Sequence, residues 1–394
     1  MEGQRSMSSE DTNIKLEASH SARLAAAAHG RSETKDGEFS TLPVADVTPA
    51  DVQAVRLLLG DGSVVDWRRL FYNNREEVVR FLDVNGYRLD KPEERVRLTD
   101  LHARAVEFVE STFDMEIPPR VRRPVDVAQL FLLASRGRRW EQRAACVVLK
   151  MMHVINHLEA KKLSYHLSVS ERALFKAARD KVDACIEAMR EEGLGIARYE
   201  PSRKSEHSLL TKLISKPQVT AAQIFDKLRF RLTVCSRHDI VPVLQWLTRH
   251  LFPYNHVVAG ETHNRILSED EVFRALDEQL SEPLPSWKDH TELDPVPFNP
   301  ATSRLFNMVS FVVELPLRID KLCDEETRKN FSHLGHLLLV TLEFQVFDEE
   351  TAQTNRRGEA NHDAYKTRQL SVVAQRLWGR PAPPVRPVLE DFED

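Results

Sequence analysis

LLVTLEFQVF, residues 338 to 347, alternates apolar and polar side chains with a period of two. On an extended backbone successive side chains point to opposite faces, so Val340, Leu342, Phe344 and Val346 fall on one side, and Thr341, Glu343 and Gln345 on the other. LRFRLTVC, residues 228 to 235, does the same, setting Leu228, Phe230, Leu232 and Val234 against Arg229, Arg231 and Thr233. Residues 307 to 317 show the same alternation. Strands of this kind in one sheet would bury an apolar face and turn a carboxylate, an amide and guanidinium groups outward. That set suits a polyphosphate with its magnesium ions. Ion pairs crossing a solvated sheet would use the same residues, and on the pattern alone that is the simpler reading.

Helical patterns separate the strands at 206–215, 239–250 and 269–280, the last with Ser268 and Glu271 placed as a capping box. Upstream of Gly193 and Gly195 the period is helical throughout. Thr48-Pro49 reads as a cap followed by Pro at the first helical position, and apolar stripes run through 52–59, 66–72, 76–82, 97–113, 125–133 and 140–158. Ser168 with Glu171 is placed to open a further helix carrying Phe175, Ala178, Val182, Ile186 and Met189 at helical spacing. The change of period predicts an α+β chain: a disordered tail over 1–45, an all-α domain over 46–192, a mixed β-sheet domain with helices on one face over 193–375, and a Pro-rich acidic tail, also disordered, over 381–394.

With 394 residues the chain is too long for one ordinary core, in keeping with two domains. A net charge of -5, from 55 basic and 60 acidic residues, gives no global positive field, which argues against duplex DNA or a membrane surface as partner. No run of eighteen apolar residues is present, so no membrane span is expected. Cys146, Cys185, Cys235 and Cys323 are scattered without a C-x-x-C pair, which suits a reducing compartment and makes the cytoplasm the expected location. His153 and His157 stand four apart on one helix face, but no H-E-x-x-H pattern surrounds them and they read as core or surface histidines, as do His333 and His336. The cluster Arg120, Arg122, Arg123, Arg136, Arg138, Arg139 and Arg143 reads as a solvated face, without an alternating aromatic series.

The segment Lys204-Ser205-Glu206-His207-Ser208-Leu209-Leu210-Thr211-Lys212 has the form K-S-x-x-S-x-x-x-K. Asp226 follows, five residues before Arg231; Glu343-Phe344-Gln345 then gives E-x-Q, and residues 360–366 (ANHDAYK) give A-x-H-x-x-Y-K. In this order, over about 175 residues, the motifs resemble those of the synthetase domain of RelA/SpoT-type guanosine-polyphosphate enzymes. The resemblance implies a nucleotidyltransferase-like fold for the sheet domain, and magnesium-dependent transfer of pyrophosphate from ATP to the 3'-hydroxyl of GDP or GTP. It assigns Asp226 as a magnesium ligand and Glu343 as a metal ligand or base. Lys204, Ser205, Ser208, Lys212, Arg231, Phe306, Gln345, His362, Tyr365 and Lys366 become the nucleotide-binding residues. The physics agrees at Ser205, where a helix start would offer free N–H groups to phosphate with Lys204 and Lys212 close by. Asp226 and Arg231 differ in strand parity, so a turn or bulge near Lys227 is expected.

Departures from the family pattern widen the substrate question. Phe306 stands for the Tyr that stacks on guanine, Ser310 for a His, Phe347 for the Arg after E-x-Q, and Ser202 for an Arg before Lys204. The acceptor is therefore left open among a guanine nucleotide, another nucleotide and an RNA end. A catalytically silent module that senses a nucleotide and passes its state to the helical domain, or to a protein partner of that domain, is the alternative. No H-D metal-hydrolase signature occurs in the helical half.

Overall fold

The computed structural model describes residues 47–60, 62–65, 67–215, 227–280, 284, 306–357 and 362–379, and of residues 321 and 362–365 the backbone alone. Among the described residues seven helices come first: α1 (Pro49–Leu59), α2 (Arg75–Val84), α3 (Pro92–Phe113), α4 (Pro119–Arg122), α5 (Val127–Arg136), α6 (Arg139–His166) and α7 (Glu171–Glu191). Strands and helices then mix: β1 (Ile196–Arg203), α8 (Glu206–Ser215), β2 (Leu228–Val234), α9 (Ile240–His250), β3 (His263–Asn264), α10 (Glu269–Glu278), β4 (Val309–Arg318), α11 (Glu325–Asn330), β5 (Leu337–Asp348), α12 (Glu349–Asn355) and α13 (His362–Trp378). The chain is α+β, as its two periodicities require. Among the described residues no helix is long and apolar enough to cross a membrane.

Local chemistry explains most boundaries. Thr48 caps α1 in a full capping box with Asp51, and Pro49 fills the first turn, where its missing N–H removes nothing. The helix expected to open at Ser168 opens two residues later, because the Ser170 hydroxyl accepts from the Ala173 N–H at 3.2 Å. Ser268 stands at the N-cap of α10 but makes no side-chain cap bond, so the expected box is not formed there. Residues 67–73 form no helix or strand where a helical stripe was expected. Their backbone groups are satisfied from outside: Leu70 N donates to the Ala134 carbonyl, Tyr72 N to Ser135 Oγ, and the Arg69 carbonyl accepts from Gln53 Nε2. Trp67, Leu70 and Tyr72 are thereby buried without helix.

The strands form one mixed sheet in the order β1-β2-β5-β4-β3, with β2 and β5 parallel and the other pairs antiparallel. The apolar face read from the sequence is buried: Phe230, Leu232, Leu342, Phe344 and Phe311 are fully covered. Rings at its centre stack, Phe230 on Phe344 and Phe311 on Phe344, each at 5.4 Å. Each such side chain contributes about 1.5–3 kcal/mol through burial. The helices covering this face are α1, α7, α9 and α10, through residues such as Val55, Ile186, Leu244 and Val272. The expectation that 206–215 packs there is corrected: Thr211 is the one buried residue of α8, and the helix lies against α13 instead.

A second core joins α2, α3, α5 and α6 with Trp67 and Tyr72. Two features tie it to the sheet. Tyr254 and Leu337 enter this second core from the sheet half. Helix α1 serves both cores, sending Val52, Val55, Leu58 and Leu59 to the first and Ala54 and Leu57 to the second.

Candidate functional site

The polar face of the sheet is built by register. Arg229 pairs with Glu343, Arg231 with Gln345 and Thr233 with Phe347 across β2 and β5, so these side chains share one side. From β4, Ser310 lies beside Gln345 and Val312 beside Glu343; from β1, Ser202 lies beside Arg229 and Glu200 beside Arg231. The parity read in the sequence for Arg231, Glu343 and Gln345 is the observed one.

A hydrogen-bonded chain runs across this face. Arg229 Nε donates to Glu343 Oε2 at 2.8 Å, Gln345 Nε2 donates to Glu343 Oε1 at 2.8 Å, and Arg231 Nη2 donates to Gln345 Oε1 at 3.3 Å. The Arg231 guanidinium also lies 5.8 Å from the centre of the Phe347 ring. Burial pushes the Arg231 pKa below the ordinary guanidinium value, and the neighbouring positive charge of Arg229 pushes the same way. Glu343 is 8% exposed and both its oxygens accept, so the expected solvent-open carboxylate is a covered, paired one. With two guanidiniums, one carboxylate and one amide, the row is net positive and offers fork-shaped donors to an anion.

The second cluster lies off the edge strand. Lys204 N donates to the Lys227 carbonyl at 3.0 Å, closing the β1–β2 ladder at the end where Arg229 and Glu343 sit. Ser205 opens α8, its hydroxyl accepting from Ser208 N at 3.3 Å and its carbonyl from Leu209 N at 3.1 Å. The expected helix start at Ser205 is therefore present. Lys366 Nζ, from α13, donates to Ser208 Oγ at 3.1 Å across 158 positions of sequence. Lys212 lies one turn further along α8, half-buried. Two of the motif segments thus meet, the Lys204–Lys212 turn and the segment ending at Lys366.

Other site candidates stand apart. Phe306 is half-buried in the segment leading into β4, next to Asn307, whose backbone N–H and carbonyl are both held by Asn355 at the end of α12. This places Phe306 beyond the C-terminal end of β5, three residues before the pairing of Val309 with Val346. Asp226 lies outside the described residues, as do the side chains of His362 and Tyr365 in the first turn of α13. Arg229 was visible as a face residue but not as the partner of Glu343. Its signal was parity, and its role came only with the register between strands.

The described residues alone do not make a magnesium site. Among them no three or more His, Cys, Asp or Glu side chains gather in a way that could hold an ion. Glu343 is a single carboxylate, each of whose oxygens already accepts one hydrogen bond, from Arg229 and from Gln345.

No family model matches the chain, and no curated protein matches it. Among solved structures it is similar to the small alarmone synthetase 2 of Bacillus subtilis, at 16% identity and a TM-score of 0.29, over 53% of this chain and 93% of that one. The small alarmone synthetase 1 of the same organism matches at 12% identity and a TM-score of 0.29, over 52% and 90%. A structure of that synthetase 1 bound to its product pppGpp matches at 13% identity and a TM-score of 0.28, over 52% and 86%.

Proposed function

We propose that the protein is a nucleotidyltransferase-like pyrophosphokinase that binds ATP at the β1–β2–β5 end of the sheet and transfers pyrophosphate to a nucleotide or RNA hydroxyl. The observation that carries this reading is the meeting of Ser208 and Lys366 beside the strand end that holds Arg229 and Glu343. A merely structural sheet has no need to gather three lysine-bearing motif positions, an N-terminal helix turn and an arginine pair at one end. A polyphosphate does, since its transfer depends on positioning and charge neutralisation more than on covalent help from the protein.

In this reading Lys204, Lys212 and Lys366 and the first turn of α8 neutralise the phosphates. The arriving phosphate draws Arg229 from Glu343, which frees Oε2. That atom takes the proton of the acceptor hydroxyl as the hydroxyl oxygen attacks the β-phosphorus and AMP leaves. Arg231 and Gln345 hold the charge that develops on the transferred group. Magnesium would belong to Asp226 and Glu343 together and would supply charge neutralisation. Phe306, His362 and Tyr365 are proposed to contact the nucleotide bases or sugars.

One observation favours the silent alternative, a nucleotide-sensing module: Glu343 is already engaged at both oxygens. The two readings separate in one experiment. Purified protein is incubated with magnesium, labelled ATP and a panel of GDP, GTP, other nucleotides and short RNAs, and transferred pyrophosphate is followed beside ATP binding by calorimetry. Transfer that is lost in Asp226→Asn and Glu343→Gln with binding intact supports the enzyme. ATP binding with no transfer to any acceptor supports the sensing module, and absence of both sinks the site.

A further inference from the structure

Arginine is concentrated in one short stretch of an otherwise acidic chain. Between Pro119 and Arg143 there are seven arginines and two carboxylates. Both carboxylates are engaged, Asp126 by Arg75 and Glu141 by Arg120. The fold gathers this stretch into a corner. Helix α6 begins three residues after Arg136 ends α5, and Gln142 Nε2 reaches back to the Ser135 carbonyl at 3.2 Å. Arg120 on α4 meets Glu141 in the first turn of α6 at 3.4 Å.

The aromatic partner that an arginine cluster needs is present at the centre of the corner. Trp140 is 51% exposed, outside both cores. Arg143 lies three residues after it and four after Arg139, so the Arg143 side chain neighbours both on the helix surface. Arg138, Arg139 and Arg143 are exposed and have no ion-pair partner among the described residues. A half-exposed indole one to three residues from guanidiniums without ion-pair partners among the described residues combines a flat stacking surface with donors for phosphate.

We propose that this α4–α5–α6 corner binds single-stranded nucleic acid, with backbone phosphates on Arg138, Arg139 and Arg143 and an unpaired base on Trp140. A duplex keeps its bases stacked on one another and cannot offer one to the indole, whereas a single strand can. The corner shares no residue with the polyphosphate site. From Trp140 to His157, where α6 meets β4 through Glu314, the helix runs on the order of 25 Å at its regular rise. The proposal therefore stands or falls independently of the ATP reading.

The test uses the full chain and fluorescence anisotropy. The probes are a labelled fifteen-nucleotide oligo-U, its DNA counterpart, an RNA duplex of equal length, inorganic polyphosphate and phosphatidylserine vesicles, across a salt series. Expected are preferential binding of the single strands and quenching of tryptophan emission on binding. Trp140→Ala should weaken binding by about tenfold or more, with Trp140→Phe retaining most of it. The triple variant R138Q/R139Q/R143Q should weaken it and lower the slope of log K against log salt by about 2. All three variants should keep the wild-type circular dichroism and ATP binding. Equal affinity for duplex, polyphosphate or vesicles, or no effect of Trp140→Ala, would overturn the single-strand assignment, and no binding at the lowest salt would return the corner to a solvated face. RNA and DNA binding alike would support it, and a preference between them would report on the 2'-hydroxyl.

Discussion

Both oxygens of Glu343 accept hydrogen bonds from neighbours on the same sheet face, so in the resting protein this carboxylate is part of the packing as well as a candidate for chemistry. Removing the guanidinium of Arg229 should leave a covered charge without its partner, which costs more than the ion pair itself contributes. Arg229→Met is accordingly expected to lower stability by about 1–3 kcal/mol, with much of the loss restored in the double variant Arg229→Met/Glu343→Gln, measured as urea midpoints in a double-mutant cycle. Equal and additive losses would show that the two side chains are not coupled. At this scale the sequence told which side chains share a face, since parity alone decides it. It could not tell that Arg229 would occupy Glu343, because strand-to-strand register is set by neighbours a hundred positions away.

Among the elements, α8 and α13 differ from the rest in how they are held. Their described contacts are mainly polar: Lys366 to Ser208, Gln369 Nε2 to Ser215 Oγ, and Arg376 to the Ile214 carbonyl. Described apolar burial in the pair is confined to Val373 and Ala374. A pair with so little buried apolar surface opens at lower free energy than strands in the phenylalanine core. Amide exchange over 206–215 and 362–378 should be faster than over β2 and β5, and ATP should slow it, as mass spectrometry would register. Protection equal to that of β5, unchanged by ATP, would place the ligand elsewhere. The long strands β2, β4 and β5 were legible because one face of each is buried. The two-residue β3 carries too few side chains for a period, and residues 67–73 imitate a helical stripe while taking their hydrogen bonds from α1 and α5. In α8 the motif gave the start correctly, but its apolar positions could not say which surface would cover them.

At the level of the whole molecule, the seam between α6 and the sheet holds three histidines in contact. His153 lies 5.2 Å from His256 and 6.1 Å from His157, ring to ring, and His157 Nδ1 stands 3.1 Å from Glu314 Oε2. Burial, reinforced by His157, pushes His153 down to about 4. Burial likewise pushes the fully covered His256 well below its ordinary value, with His153, His157 and Lys181 adding to the effect. Folded pKa values below the unfolded one mean that the unfolded chain takes up protons first as pH falls. This share of stability is therefore fully present above about pH 6.5 and is lost progressively toward pH 4. Urea midpoints should drop through that window, and His256→Leu should flatten the drop; an unchanged slope would assign it to other groups. Helix α1 bears on the same seam from the other side, since its two faces belong to different cores: Gln53 binds the Arg69 carbonyl on one side and Arg56 binds Asp277 on the other. The consequence is one of time. During synthesis α1 emerges early and α2 and α3, which share the second core with it, follow at once, but α9 and α10, on which it packs, follow roughly 190 residues later. At typical elongation rates of about 5–20 residues per second, Val52, Val55 and Leu58 wait on the nascent chain for roughly ten to forty seconds with nothing of their own to cover them.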